Sequence, residues 1–197
     1  MLVVSRDTPN SMTASVPLRV VLTYEDYRRL PDDGRRYELF EGEVYVTPAP
    51  LVVHQRISRN LEFQLHRYVQ QHGLGEVLDA PVDVILGRTT VLQPDLLYVS
   101  RKREAIVTRH GVEGPPDLVI EILSDSTRER DRGVKQQLYA RHGVAHYWIV
   151  DPATKTVAEH VLEEGGYVLL RTYVANDVMA PALFPELAID LATVFPP

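Results

Sequence analysis

The chain has 197 residues, 45% of them hydrophobic, with 27 acidic and 21 basic side chains and a formal net charge of −6. This composition is that of an ordinary globular protein and excludes disordered and fibrous proteins. No cysteine is present, which excludes disulfide frameworks, thiolate zinc sites and cysteine nucleophiles. No apolar run approaches the ~20 residues of a membrane-spanning helix, and residues 1–17 lack signal-peptide features, so we expect a cytoplasmic protein without a membrane partner.

Charge is distributed unevenly along the chain. Residues 101–141 carry 9 basic and 7 acidic side chains, whereas residues 1–100 carry 10 and 13 and residues 142–197 carry 2 and 7. Only the middle segment is net positive, which predicts a local basic face rather than a protein that coats nucleic acid through its overall charge. The candidate nucleic-acid contacts in this segment are Arg101, Lys102, Arg103, Arg128, Arg130 and Arg132.

The first elements of the chain are a tail, a short helix and a hairpin. Residues 1–17 are polar and show no periodicity, which predicts a flexible tail before a single domain over residues 18–197. Thr23 and Asp26 form an N-terminal capping pair for the short helix. Strand-like runs on both sides of Gly42 predict a tight hairpin.

A long helix is predicted next, between Leu51 and His72. Its apolar residues recur every four positions, and Gly73 follows it as a typical helix end. The predicted buried stripe consists of Val53, Ile57, Leu61, Leu65 and Val69.

The segments that follow have the composition of strands. Three short runs rich in β-branched residues are separated by Gly, Arg and Pro, and we expect them to be neighbours in one sheet. They cover residues 82–86, 91–99 and 116–123. Ser126 and Glu129 form a capping box ahead of a second helix that runs to about His142.

The order of these elements predicts the fold class. A buried strand over residues 145–150 follows the second helix, and a final hairpin turns at Gly165 and Gly166. A strand–helix–strand crossover requires parallel pairing in at least part of a sheet. We therefore expect an α/β fold with a mixed sheet flanked by helices and with hairpins added at the N- and C-terminal ends.

Two acidic residues are carried by apolar strands. Asp95 follows Pro94 at the start of one run, and Glu121 lies inside another. Burying an unpaired carboxylate costs several kcal/mol, so each needs a cation, a metal ion or a strand end open to water. Carboxylates on adjacent strands would suit Mg²⁺, which prefers oxygen ligands and retains several waters.

Lys135, on the second predicted helix, is a candidate cation for the same site. We expect Val134 and Leu138 to face the sheet and Lys135 to lie at the edge of that face, from where its amine could lean over the strand that carries Glu121. A lysine in this place could orient an attacking water or stabilise charge on a phosphate.

The chain also carries an ordered series of short motifs over roughly residues 20–192. They are Arg36 to Glu43, His54 to Arg56, Gln93 to Asp95, Pro116 to Ser124, Lys135, Tyr139 with Ala140, Gly143 with Val144, and Tyr147 to Pro152. The series resembles the PD-(D/E)XK nuclease superfamily and, within it, the Uma2 family of restriction-endonuclease-like proteins. This resemblance implies a restriction-endonuclease-like core in which Asp95 and Glu121 are metal ligands.

The sequence departs from the superfamily pattern at one catalytic position. The pattern places a lysine two residues after the acid, and Leu123 occupies that position. The lysine must then come from elsewhere, and Lys135 is the candidate. Glu41 or Glu38 resembles the additional acid that many members use, and Glu41 is the preferred candidate of the two.

The resemblance implies an endonuclease that hydrolyses phosphodiester bonds of nucleic acid, DNA in preference to RNA, with Mg²⁺ or Mn²⁺ as cofactor. A homodimer is compatible with this interpretation. Two alternatives stay open: a nucleic-acid-binding module that keeps the fold without turnover, which the missing lysine at position 123 favours, and a structural or assembly protein whose basic segment meets an acidic partner.

Overall fold

The computed structural model describes residues 20–196, so the tail predicted for residues 1–17 lies outside the described residues. The helices are α1 (Tyr24–Tyr27), α2 (Val52–His72), α3 (Arg128–Arg130), α4 (Gln136–Arg141) and α5 (Leu191–Val194), with a 3₁₀ turn at Arg101–Ile106 and a π-helical turn at Asp131–Lys135. The strands in the first half of the chain are β1 (Arg36–Phe40), β2 (Glu43–Thr47), β3 (Gly75–Asp79), β4 (Val84–Gly87), β5 (Thr90–Leu92) and β6 (Leu96–Ser100). Those that follow are β7 (Val107–Thr108), β8 (Gly111–Glu113), β9 (Leu118–Ile122), β10 (His146–Asp151), β11 (Thr156–Glu163), β12 (Gly166–Val174), β13 (Val178–Met179) and β14 (Ile189–Asp190).

Twelve of the described strands form two mixed six-stranded sheets, β13 and β14 form a small two-stranded sheet, and the predicted α/β class is confirmed. The central sheet has the order β12-β11-β10-β9-β6-β3, and the hairpin sheet has the order β2-β1-β5-β4-β8-β7. Of the three runs expected in one sheet, β6 from residues 91–99 and β9 from residues 116–123 do pair in the central sheet. The expectation is wrong for residues 82–86 and for the first part of residues 91–99, because β4 and β5 join the N-terminal hairpin. Pro94 has no N–H to donate to a ladder, and the run is broken there into β5 and β6.

Parallel pairing occurs where the crossover predicted it. β9 and β10 pair in parallel and are joined by the helical segment Arg128–Arg141, which confirms the strand–helix–strand interpretation. β6 pairs antiparallel with β9, and the C-terminal hairpin of β11 and β12 extends the sheet beyond β10. β3, which was not predicted from the sequence, pairs through its five residues with β6 at the opposite edge of the sheet.

The N-terminal helix and hairpin agree closely with their prediction from the sequence. Thr23 and Asp26 form the expected capping box of α1. The hairpin turns at Glu41 and Gly42, which both have positive φ angles (48° and 88°). This left-handed geometry matches the twist of the two strands and favours glycine. A Cβ atom at Gly42 would also lie 2.3 Å from Val21, so the turn has no room for a side chain.

The long helix α2 packs one face on the central sheet. Ile57, Leu61, Leu65 and Val69 are buried as predicted, together with side chains of β6, β9 and β10. Val53, expected in this stripe, is 38% exposed, and His54 is buried instead. The helix therefore presents a histidine, rather than valine, at its sheet-facing N-terminal end.

The second helical segment differs from its prediction in its start and in its phase. Thr127, rather than Ser126, is the N-cap residue and makes no side-chain capping bond. Within the π-helical turn Lys135 is buried, whereas Val134, expected to face the sheet, is 48% exposed. π-helical turns are rare, and those that occur inside α-helices are frequently found at functional sites.

None of the helices in the described part of the chain is long and apolar enough to cross a membrane.

Candidate active site

Asp95 and Glu121 lie side by side in the central sheet. The antiparallel register pairs Leu96 of β6 with Ile120 of β9, and continuing it by one residue places Asp95 beside Glu121. Opposite residues of an antiparallel pair point to the same face of a sheet. The two carboxylates are 8% and 2% exposed, so the strands bring together two buried acids.

Asp95 is held by two groups on one of its oxygens. The backbone N–H of Ile122 donates to Asp95 Oδ2 at 2.8 Å, and His54 Nε2 lies 3.0 Å from the same oxygen. Because a carboxylate only accepts, His54 Nε2 carries the shared hydrogen. His54 thus fixes the orientation of Asp95 from α2.

Lys135 joins both sheets to the second helical segment. Its Nζ atom donates to Glu121 Oε1 at 3.1 Å and lies 2.9 Å from Glu38 Oε1. The Tyr139 hydroxyl also donates to Glu121 Oε1, at 2.9 Å. Lys135 is 3% exposed. The expected approach of its amine to Glu121 is therefore present in the structure.

The structure brings Glu38, and not Glu41, to this cluster. Glu38 shares a strand face with the buried Phe40 and accepts from the backbone N–H of Gln93 (2.9 Å) and from the Thr47 hydroxyl (3.0 Å). Glu41 lies in the exposed hairpin turn and pairs with Arg141. The expected placement of Glu41 at the site is wrong, because position 41 is a turn residue, whereas the period-two alternation of β1 sends position 38 inward.

Asp131 is a fourth acid, which sequence reasoning missed. It is 1% exposed, and its Oδ1 atom lies 3.7 Å from Lys135 Nζ without a hydrogen-bond partner among residues 20–196. The signal was its spacing of four residues from Lys135, which places both on one helix face. The cluster is named here the carboxylate–lysine cluster and consists of Glu38, Asp95, Glu121, Asp131 and Lys135.

The cluster contains four acidic groups and one amine. Burial, together with the carboxylates of Asp131, Asp95 and Glu38, raises the pKa of Glu121 well above its ordinary value, although Lys135 opposes the increase. Burial also raises the pKa of Asp131. Burial alone would lower the pKa of Lys135, but the facing Glu121, Glu38 and Asp131 outweigh it and raise the pKa, so the amine stays protonated.

A pocket of about 310 Å³ opens onto the cluster. It is lined by Asp95, Glu121, Asp131 and Lys135, by His54 and by the loop of Ser124 to Thr127 that follows β9. Ser124 Oγ contacts the hydroxyls of Ser126 and Thr127 at 3.0 and 2.9 Å. Arg36 also lines the pocket and adds a cation that the sequence analysis did not single out. The pocket thus offers carboxylates on its floor and hydroxyl and guanidinium donors on its wall.

The donor set fits a divalent cation that keeps much of its water shell. Within residues 20–196, no three His, Asp or Glu side chains lie close enough to hold one ion by themselves. Mg²⁺ is commonly bound through only one or two carboxylates, with water and substrate phosphates at the other positions. A cation would give a close partner to Asp131 Oδ1, which accepts no hydrogen bond among the described residues, and would favour the ionised form of Glu121, whose pKa is raised.

The six basic residues proposed as nucleic-acid contacts fall into two groups. Arg101, Lys102 and Arg103 follow the far end of β6, about 20 Å from Asp95 at ~3.3 Å per residue, so they do not border the pocket. Arg128 and Arg132 both pair with Asp151, and Arg130 lies over the Tyr45 ring at 5.3 Å. The second group lies on the segment that carries Asp131 and Lys135.

Comparison with known proteins supports the interpretation of the fold. The chain resembles a solved structure described as "a putative nuclease belonging to DUF820" from Anabaena variabilis, with a TM-score of 0.71 and 18% sequence identity over 88% of this chain and 97% of that one. No curated protein matches the chain. Residues 24–192 match the family Uma2, described as "Putative restriction endonuclease". Because this match covers most of the sequence, the chain belongs to the Uma2 family.

Proposed function

We propose that the protein is an endonuclease that hydrolyses phosphodiester bonds of nucleic acid with Mg²⁺ or Mn²⁺. The observation that carries this proposal is the convergence of Asp95 and Glu121 with Lys135 at a solvent-accessible pocket. The family and the fold neighbour, both described as nucleases, support the same reaction class. The residues of the pocket could bind the metal ion, orient the attacking water and stabilise the charge that develops on the phosphate.

Asp95 and Glu121 would hold the cation, and Asp131 is available as a further oxygen donor. A bound divalent ion lowers the pKa of water and offsets charge on the phosphate. His54 and the Ile122 N–H hold Asp95 Oδ2, so its carboxylate keeps one orientation. Glu38, which replaces Glu41 in this proposal, anchors Lys135 from the hairpin sheet.

Lys135 would act as a hydrogen-bond donor and point charge, not as a base. Three carboxylates raise the pKa of its amine, so the amine is protonated at neutral pH and has no lone pair to accept a proton. A protonated lysine can orient the attacking water and stabilise negative charge that develops on the phosphate. Lys135, on the π-helical turn, would thereby take the role of the lysine that the superfamily pattern places at position 123, where this chain has Leu123.

The test is metal-dependent cleavage by carboxamide variants. Asp95→Asn and Glu121→Gln should each reduce cleavage of plasmid and of oligonucleotide, in Mg²⁺ or Mn²⁺, by at least about 100-fold. Mn²⁺ binding, measured by calorimetry, should weaken in both variants. Undiminished cleavage by either variant would overturn the proposal.

Glu41→Gln and Glu38→Gln form the matched pair of variants. Both remove one charge from the same hairpin, but only Glu38 contacts Lys135. Glu38→Gln should slow cleavage, and Glu41→Gln should leave it unchanged. Mn²⁺ binding through Asp95 and Glu121 with no cleavage of DNA or RNA would favour the non-catalytic binding module instead.

A further inference from the structure

The outer face of α2 carries a stripe of exposed side chains. Its members are spaced three or four residues apart, so they share one helix face, opposite the buried stripe. This outer stripe consists of Val52, Arg56, Arg59, Phe63 and Arg67, all of them exposed. A large aromatic ring, 64% exposed at Phe63, lies between arginines one turn away on either side.

The arginines of the outer stripe have no carboxylate partner among residues 20–196. Arg59 donates to the Asn60 side chain at 3.3 Å, and the Arg67 guanidinium lies over the Phe63 ring at 5.6 Å. In contrast, Arg103, Arg128 and Arg132 each form ion pairs with aspartates. An anion on the outer stripe would therefore displace no internal ion pair, whereas an anion at Arg128 or Arg132 would compete with Asp151.

A groove of about 650 Å³ runs beside the stripe. It is lined by Arg59, Asn60, Phe63, Gln64 and Arg67 from α2, by Thr193 of α5, and by Ala188 and Asp190, which precede α5. Asn60 donates to the backbone carbonyl of Thr193 at 3.1 Å, and Gln64 donates to its hydroxyl at 3.0 Å. These bonds fix the wall of the groove, so the exposed ring faces a preformed surface.

The stripe and the active-site pocket are continuous along α2. Leu51, which directly precedes α2, lines the pocket, and Val52 begins the stripe. From Leu51 to Arg67 the helix rises about 24 Å at ~1.5 Å per residue. This length corresponds to about seven stacked nucleotides at ~3.4 Å each.

We propose that a single-stranded segment of nucleic acid leaves the pocket along the outer stripe of α2. Arg56, Arg59 and Arg67 contact its phosphates, and one base stacks on Phe63. This inference rests on the proposed function for the pocket. The base must be unpaired, because a ring on a convex helix surface reaches the face of a base only where that base is not stacked within a duplex.

The experiment measures binding of a fluorescent 15-nucleotide oligo-dT and a matched duplex, by anisotropy across a salt series, in Ca²⁺ to suppress cleavage. The triple variant R56Q/R59Q/R67Q should bind the single strand at least tenfold more weakly. Its slope of log affinity against log salt should be shallower by about 2, which is ~0.7 per lost phosphate contact. Phe63→Ala should weaken binding about tenfold with the slope unchanged, because stacking releases no counterions.

The matched control is R29Q/R88Q/R109Q, which removes three exposed charges elsewhere and should bind like the unaltered protein. Equal binding by the stripe triple variant and the unaltered protein would overturn the inference. So would a loss confined to the duplex, or equally effective competition by polyglutamate, which would indicate an acidic protein partner.

Hydrolysis of bis(p-nitrophenyl) phosphate separates this inference from the proposed function. This small diester reaches the pocket without needing the stripe, so the stripe variants should hydrolyse it at the normal rate in Mn²⁺. Stripe-dependent binding of the single strand without any hydrolysis would retain the docking surface and reject the nuclease. Hydrolysis of the diester together with binding that does not depend on the stripe would retain the nuclease and reject the docking surface.

Discussion

The helical segment Arg128–Arg141 takes part in two charge clusters of opposite balance, each with at least one buried carboxylate. In the first, the guanidinium groups of Arg128 and Arg132 pair with the single carboxylate of Asp151, at the end of β10. In the second, the carboxylate–lysine cluster, the single amine of Lys135 lies among several carboxylates. The two clusters are adjacent along the chain, because Arg132 of the first directly follows Asp131 of the second.

The two clusters shift the pKa values of their carboxyl groups in opposite directions. A hydrogen bond from Arg128 lowers the pKa of Asp151 to about 2, whereas burial raises the pKa of both Glu121 and Asp131. The Asp151 pair is satisfied within the protein and attaches the helical segment to the sheet. The carboxylate–lysine cluster is not neutralised by the protein, which is the expected state of a site that awaits a cation.

Replacing Lys135, the one amine of the carboxylate–lysine cluster, should have the largest effect on stability. Lys135→Met leaves buried carboxylates without a counter-charge, so the free energy of unfolding at pH 8 without metal should fall by about 3–5 kcal/mol. Urea denaturation measures it. Lys102→Met, at an exposed position, is the control and should change it by less than about 0.5 kcal/mol. Similar values for the two variants would mean that the cluster is far less desolvated than its geometry indicates.

The ion pairs of Asp151 with Arg128 and Arg132 should stabilise the protein in a defined pH range. Because the pKa of Asp151 lies below its ordinary value of 3.8, the ionised form favours folding, and this stability is present above about pH 4 and lost as the pH falls towards 2. Asp151→Asn should cost about 2 kcal/mol at pH 7 and almost nothing at pH 2. Thermal or urea denaturation of both proteins as a function of pH measures this difference. The control is Asp125→Asn, at an exposed position. A pH-independent cost for Asp151→Asn would contradict the ion-pair account.

The stability that the carboxylate–lysine cluster contributes should depend on pH in the opposite direction. Because the pKa of Glu121 is raised above 4.5, ionisation opposes folding, so its contribution to metal-free stability falls as the pH rises above 4.5. Glu121→Gln keeps an acceptor for Lys135 and Tyr139 and should raise stability at pH 8 by about 1 kcal/mol. Thermal denaturation with and without Mn²⁺ measures it.

Mn²⁺ should raise the Tm of the unaltered protein more than that of Glu121→Gln, since the variant lacks one ligand. Glu129→Gln, on the exposed side of the same segment, should behave like the unaltered protein. If Glu121→Gln destabilised the metal-free protein at pH 8, Glu121 would belong with Asp151 as a structural ion-pair partner.

The sequence predicted elements whose signals are local. The capping box of Thr23 and Asp26, the turn at Gly42 and the buried spacing from Ile57 to Val69 each depend on neighbouring residues. Hydrophobic periodicity could not distinguish Val53 from His54, because a buried histidine needs a partner, and that partner is Asp95, 41 residues away. The π-helical turn also escaped prediction, and with it the exposure of Val134.

The candidate site was predictable only in part, for the same reason. Carboxylates on apolar strands marked Asp95 and Glu121, and the adjacent pairing of their strands agrees with that signal. The choice between Glu38 and Glu41 depended on which side of a hairpin strand faces the second sheet. The turn predicted at Gly42 places Glu41 outside the strands, but the contact of Glu38 with Lys135 depends on which face of β1 meets the helical segment, and tertiary packing sets that.

The sequence by itself determined the local elements, the crossover that makes part of the sheet parallel, and the pair of strand-borne acids. The tertiary structure decided the division into two sheets, the selection of Glu38 and Asp131 as neighbours of Lys135, and the distance of Arg101 to Arg103 from the pocket. The physical reason is range: capping, turn geometry and hydrophobic period act over a few residues. A buried charge must find its partners wherever the folded chain brings them.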